Sequence, residues 1–206
     1  VVGGDTGESN DLVVSGMAFG FTEESSLVRR SGASVGDVLA VTGKFGLTGA
    51  GLKILLEEKN TDDRTKQLVK AVYEPRARVQ EGVALCRAGC LSASIDSSDG
   101  LAWAIHELAK SSKVGFLIED IPIPREVVRF AQTNKLELLD LALYGGEEYE
   151  LVVTVKPDRW DEAQKIANQV SGMLYRIGTA TRQRDINLRM KGETRRVLPK
   201  GYEHFK

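Results

Sequence analysis

The sequence predicts an α/β (α+β) fold, a mixed sheet covered by helices. Short apolar runs rich in Val, Ile and Leu alternate with stretches of helical period along most of the 206 residues. No internal repeat or low-complexity segment interrupts that alternation. The composition, 42% hydrophobic and 28% charged with 21 glycines, is that of an ordinary globular chain. A net charge of −1 gives no general attraction to nucleic acid or to a membrane surface. No apolar run approaches the ~20 residues that span a bilayer. Cys86 and Cys90, four apart and far from any second ligand pair, read as reduced thiols of a cytoplasmic protein and as a poor zinc site.

The chain opens on Val1, Val2, Gly3, Gly4 and Asp5 with no Met, which reads as the interior of a longer protein. Gly3 and Gly4 let a backbone approach a ligand and Asp5 can hold a metal, although a plain turn reads equally well. A strand is expected through 12–14 and 17–21, apolar on both faces. Residues 22–30 read as a crossing between two domains and carry Arg29 and Arg30, forked donors for phosphate or carboxylate.

A strand is expected at 38–42 and a helix at 52–58. The glycine-rich stretch between them is not a P-loop, because Lys44 follows the first glycine rather than the second. Its glycines are read as packing the helix tightly on the sheet, with anion binding at the helix start as the alternative. Helices follow at 62–72, with Thr61 as N-cap and Pro75 as terminator, and at 76–88, with Val79, Val83, Leu85 and Cys86 inward and Gly89 as C-cap.

The strand 91–95 delivers Asp96, Ser97, Ser98, Asp99 and Gly100, an acidic turn before a helix at 101–110. Two readings stand for this turn. Ser98 or Asp99 caps the helix, or the paired carboxylates hold a divalent cation beside a phosphate at the helix start. His106 reads as an ordinary helix residue. A strand at 114–118, an extended stretch through Pro122 and Pro124, and helices at 125–132 and 136–143 come next.

Residues 144–150 then crowd Glu147, Glu148, Glu150, Tyr144 and Tyr149 about a Gly-Gly pair just before a core strand at 151–155. Such crowding is costly unless the acids are neutralised or hydrogen-bonded, or alternate residues face water. A helix at 158–170 and strands at 174–177 and 186–190 complete the alternation.

Taken in order, the stretches 3–6, 30–43, 94–101, 144–151 and 201–205 resemble the thiamine-monophosphate kinase family. Gly145, Gly146, Glu147, Glu148, Tyr149, Glu150 and Leu151 are the most specific of them. That family is similar in turn to aminoimidazole ribonucleotide synthetase, selenophosphate synthetase and a hydrogenase-maturation protein, ATP users built from two halves. The resemblance implies that 31–206 is the C-terminal α/β domain of the aminoimidazole ribonucleotide synthetase-like fold. It implies that 1–30 is the last strand and crossover of an otherwise missing N-terminal domain that binds ATP and forms a homodimer.

The activity implied is transfer of the ATP γ-phosphoryl group to thiamine monophosphate with Mg²⁺, with no side chain needed as acid or base. By resemblance, Gly4, Asp5, Arg30 and Ser98 contact the nucleotide; Asp5, Asp96 and Asp99 hold Mg²⁺; Glu147 and Tyr202 hold the cationic thiamine moiety. The chain by itself is expected to be inactive or nearly so. The rival expectations are a superfamily enzyme with another acceptor and a non-catalytic ligand-binding fragment.

Overall fold

The computed structural model describes residues 1–57 and 65–201, Ser25 by its backbone alone. Its strands are β1 (Val38–Val41), β2 (Leu91–Asp96), β3 (Gly115–Ile118), β4 (Leu151–Val155), β5 (Tyr175–Thr181), β6 (Ile186–Met190) and β7 (Glu193–Arg196). Its helices are α1 (Leu47–Leu56), α2 (Lys66–Tyr73), α3 (Val79–Arg87), α4 (Leu101–Ser112), α5 (Arg125–Asn134), α6 (Leu138–Tyr144) and α7 (Trp160–Gln169). The strands form one sheet in the order β2-β4-β1-β5-β3-β6-β7. Neighbours are antiparallel except β3 and β6, which run parallel, so the sheet is mixed as the sequence predicts.

The unbroken apolar run of β1 has a direct cause: the strand is covered on both faces. Leu39 and Val41 join α4 residues such as Leu101, Ile105 and Leu108 in the largest core cluster. Val38 and Ala40 face the other way, onto Leu85 of α3 and Ala163 and Ala167 of α7. A third cluster holds α1, α2, α5 and α6 together through Ala50, Ile54, Leu68, Phe130 and Leu141. His106 sits half-buried on α4, its Nε2 3.0 Å from the Val197 carbonyl, and burial lowers its pKa.

Several expectations need correction. Residues 12–14 and 17–21 form no strand: the stretch 1–23 is irregular and exposed, because no strand among the described residues pairs with it. Helix α1 starts at Leu47, five residues before the expected start, and runs through Gly49 and Gly51. On α3, Val79 and Val83 are 64% and 43% exposed, whereas Glu81 is 1% exposed. Leu85 is inward as expected, and Glu81, one turn before it, is buried on the same face and pairs with Arg78 at 3.2 Å and Arg76 at 3.5 Å, which turns Val79 and Val83 outward. Gly89 does end α3 in the left-handed conformation, with Cys90 N donating to Leu85 O at 3.3 Å. Strand β7 is charged and fully exposed at the sheet edge, which leaves no hydrophobic alternation to read. Thr61 and the first residues of the expected helix 62–72 lie outside the described residues.

Gly51 is where α1 and α2 touch backbone to backbone: a Cβ there would overlap the Leu68 carbonyl and the Val72 side chain. Gly51→Ala is therefore expected to destabilise the chain by ~1–3 kcal/mol despite the better helix propensity of Ala, measured by urea unfolding.

Candidate functional site

The acidic turn closes β2 and opens α4. Neither Ser98 nor Asp99 caps the helix; the N-cap is Gly100 at φ 105°, with no side-chain hydrogen bond. Asp99 is thereby released from the capping role. Asp96 is exposed, and its Oδ2 accepts from Ser98 N at 3.3 Å. Ser97 is fully buried beneath the turn; its Oγ accepts from Glu150 N at 3.0 Å and its N donates to Glu150 O at 3.0 Å. Glu147 N donates to Ser98 O at 2.7 Å. The turn and the 145–150 stretch are thus laced together, although they are about fifty residues apart in sequence.

Consecutive side chains of that stretch go to different places. Glu147 is exposed in a cleft of about 710 Å³ that it shares with Tyr144, Gly145 and Gly201. Glu148 and Glu150 are buried and border a cavity of about 420 Å³. Tyr149 and Asp96 border a third cleft, of about 750 Å³, along the exposed face of α3. Left-handed backbone at Glu147 (φ 67°) and Tyr149 (φ 53°) produces this alternation, at a cost of about 1–2 kcal/mol per residue.

Every acid in the stretch has a partner. Glu148 Oε1 accepts from Gly46 N at 2.6 Å and Thr48 N at 3.4 Å, at the start of α1. Burial pushes its pKa up to about 7, against the opposing pull of those amides. Glu150 receives a forked pair from Arg78, Nε to Oε2 at 2.7 Å and Nη2 to Oε1 at 2.5 Å, and Thr42 Oγ1 donates to the same Oε2 at 2.7 Å. Burial lowers the Arg78 pKa, but Glu150 and Glu81 outweigh it and the group is held above its usual value. Tyr149 Oη donates to Glu147 Oε2 at 2.5 Å. That bond, then burial, then the charges of Glu147, Asp96 and Asp99 push its pKa up to about 12.

The glycines before and within α1 find their explanation here. A Cβ on Gly43 would lie inside the Glu150 carboxylate. Gly46, at φ 100°, gives its N–H to Glu148. Gly49 meets Leu141 O and the Cα of Gly145, distances of 2.7 and 3.3 Å from where its Cβ would stand. This run seats the 145–150 stretch, and Gly51 seats α2; the close packing is onto these segments rather than onto the sheet as expected.

Arg30 is exposed on a segment held beside β2, where Arg29 O accepts from Ser94 N at 3.0 Å and Arg30 O from Ser112 Oγ at 3.3 Å. Gly4 and Asp5 lie in the exposed irregular stretch. Among the described residues no three His, Cys, Asp or Glu converge as a ready metal site. Tyr202 lies outside the described residues. Sequence reasoning missed the roles of Thr42, Gly43, Arg78 and Glu81 in holding Glu150; their signal is a spacing across more than seventy residues, which one sequence does not display.

A family model described as AIR synthase related protein, C-terminal domain, matches residues 34–191. The chain belongs to that family. Its β1, the acidic turn and the 145–150 stretch all fall within the matched region. The thiamine-monophosphate kinase of Nitrosopumilus maritimus (strain SCM1) is 35% identical over 207 residues, covering 100% of this chain and 64% of that protein. The chain therefore spans under two thirds of that relative's length. The solved structure of AaThiL complexed with AMPPCP and TMP superposes with a TM-score of 0.72 at 29% identity, over 86% of this chain and 54% of that one. E. coli HypE, a hydrogenase maturation protein, shares the fold at 19% identity and a TM-score of 0.67, over 86% of this chain and 54% of its own.

Two outcomes follow from these buried groups. Arg78→Met leaves Glu150 buried without its cation, and urea unfolding should show a loss of ~3–5 kcal/mol. Glu148 binds its proton more tightly folded than unfolded, so its contribution is full below about pH 4.5 and lost as pH rises through about 7. Thermal unfolding should show wild type losing stability relative to Glu148→Gln across that window.

Proposed function

We propose that this chain supplies the thiamine-binding and part of the metal-binding side of an ATP-dependent thiamine-monophosphate kinase. The observation that carries the reading is the short link between two kinds of carboxylate. Glu147, exposed in its own cleft, is hydrogen-bonded through its amide to the turn that presents Asp96 and Asp99. A carboxylate that attracts a cationic heteroaromatic ring thus stands beside acids suited to a divalent ion. The names of the relatives, and the AMPPCP and TMP in the AaThiL complex, support the same assignment.

Mg²⁺ commonly takes only one or two protein carboxylates, with phosphate oxygens and water completing its octahedron. Asp96 and Asp99, both on one turn and neither used as a cap, fit that donor set. Bound there, Mg²⁺ would neutralise phosphate charge. Ser98 and the exposed Arg30 are proposed nucleotide contacts, Gly4 and Asp5 likewise with Asp5 as a further Mg²⁺ ligand, and Tyr202 a contact to the thiamine ring. In the reaction, the acceptor phosphate forms a P–O bond to the γ-phosphorus as the bond to ADP breaks. The acceptor oxygen is already ionised, so no general base is required. We further propose that catalysis needs the remaining third of the length seen in the relatives, and that the complete protein is a homodimer.

Calorimetry of the chain with thiamine monophosphate should show binding that Glu147→Ala weakens at least tenfold, ~1.4 kcal/mol. Wild type should show a Mg²⁺-dependent rise in melting temperature with AMPPCP, and Asp96→Asn/Asp99→Asn should remove it. Binding indifferent to Glu147, or a rise unaffected by the aspartates, would overturn the reading.

A further inference from the structure

Nothing in the proposed reaction uses Glu148, yet it lies between the two strained residues of the site. Glu147 and Tyr149 both hold left-handed backbone, and their side chains meet through the Tyr149–Glu147 hydrogen bond. Such backbone persists only where the surroundings over-determine it. The surroundings supply one anchor on each side and one in the middle. Thr48 Oγ1 donates to Gly146 O at 2.6 Å on the near side, and Arg78 grips Glu150 on the far side. The middle anchor is Glu148, whose Oε1 takes the Gly46 and Thr48 amides at the start of α1. Glu148 is 8% exposed and points away from both the Glu147 cleft and the Tyr149 cleft, so it does not itself touch what those clefts hold.

We propose that Glu148 is a positioning residue: by fastening the backbone between Glu147 and Tyr149 to the first turn of α1, it sets the aim of Glu147 and hence the affinity for a cationic heteroaromatic substrate. The substrate part of this statement rests on the kinase reading above; the positioning part does not.

Amide hydrogen exchange on this chain separates the two. The Glu147 amide is bonded to Ser98 O, whereas the Glu148 carboxylate takes the Gly46 and Thr48 amides, so the Glu147 amide reports the aim of the stretch. In Glu148→Ala the Gly46 and Thr48 amides should exchange about tenfold faster, and the Glu147 amide should follow them, while Val41 and Val153 in the sheet stay unchanged. Glu148→Gln keeps a carbonyl acceptor for Gly46 and should restore Glu147 protection to within about threefold of wild type. Glu148→Ser takes the place of the alanine variant should that one fail to fold, the Arg78–Glu150 anchor being left intact in both. Faster exchange at Gly46 with no change at Glu147 would overturn the proposal, reducing Glu148 to a helix cap.

The kinetic arm uses the chain joined to the N-terminal third of a relative. There Glu148→Ala should raise KM for thiamine monophosphate about tenfold with kcat nearly unchanged, and Glu148→Gln should reverse it. An unaltered KM beside a loosened Glu147 amide would overturn the substrate statement and leave the positioning result standing. A preparation that never phosphorylates thiamine monophosphate would count against the kinase reading alone.

Discussion

The buried pair of Arg78 and Glu150 fixes the geometry on which the rest of the site depends. Its members come from the residue before α3 and the residue before β4, and Thr42, just past β1, donates to the same carboxylate. Three elements that meet nowhere in sequence are thereby held at one point. Burying two charges is expensive, and only good geometry with further hydrogen bonds offsets the desolvation. Here the guanidinium fork, the Thr42 hydroxyl and Glu81 supply them. Gly43 belongs to the same arrangement, since any side chain there would occupy the space of the carboxylate.

From that fixed point the chain runs backwards into 145–150, where it behaves unlike an ordinary approach to a strand. A regular strand would send alternate side chains to two faces. The left-handed residues at 147 and 149 let this stretch serve three directions instead: outward at Glu147, toward α1 at Glu148 and toward α3 at Tyr149. The crowding of acids is therefore tolerable because each has its own partner, even where Glu148 and Glu150 border one cavity. Two are buried with partners, and the third shares its charge with a phenol.

Much of the fold was legible because burial on both faces leaves an unmistakable apolar run, as in β1 and β4, whose expected and observed bounds nearly coincide. The acidic turn was legible too, since short polar residues between an apolar strand and a helical period favour a tight turn through their local hydrogen bonds. The face of α3 was legible only in part. Leu85 is buried as expected, but Val79 and Val83 point to solvent and the ion-paired Glu81 takes an inward place, which a hydrophobic pattern does not record. The strand expected within 12–21 failed for a different reason: apolar character does not make a strand without a neighbour to bond. The candidate residues on the acidic turn and at Glu147 were readable as types, while the contacts that hold their stretch were not, because Glu148 reaches Gly46 and Glu150 reaches Arg78 across 102 and 72 positions.

The three-residue spacing of Gly43, Gly46 and Gly49 against Glu150, Glu148 and Gly145 has a consequence for how occupancy of the clefts is linked. The 145–150 backbone seated on them borders all three, so its residual freedom is a shared quantity. A ligand that stills it from one side bears the entropy cost for a ligand arriving on another, and reciprocity makes the two affinities rise by the same factor. Cooperativity between unlike ligands can in this way be written into a seat made of glycines, with neither ligand touching the other.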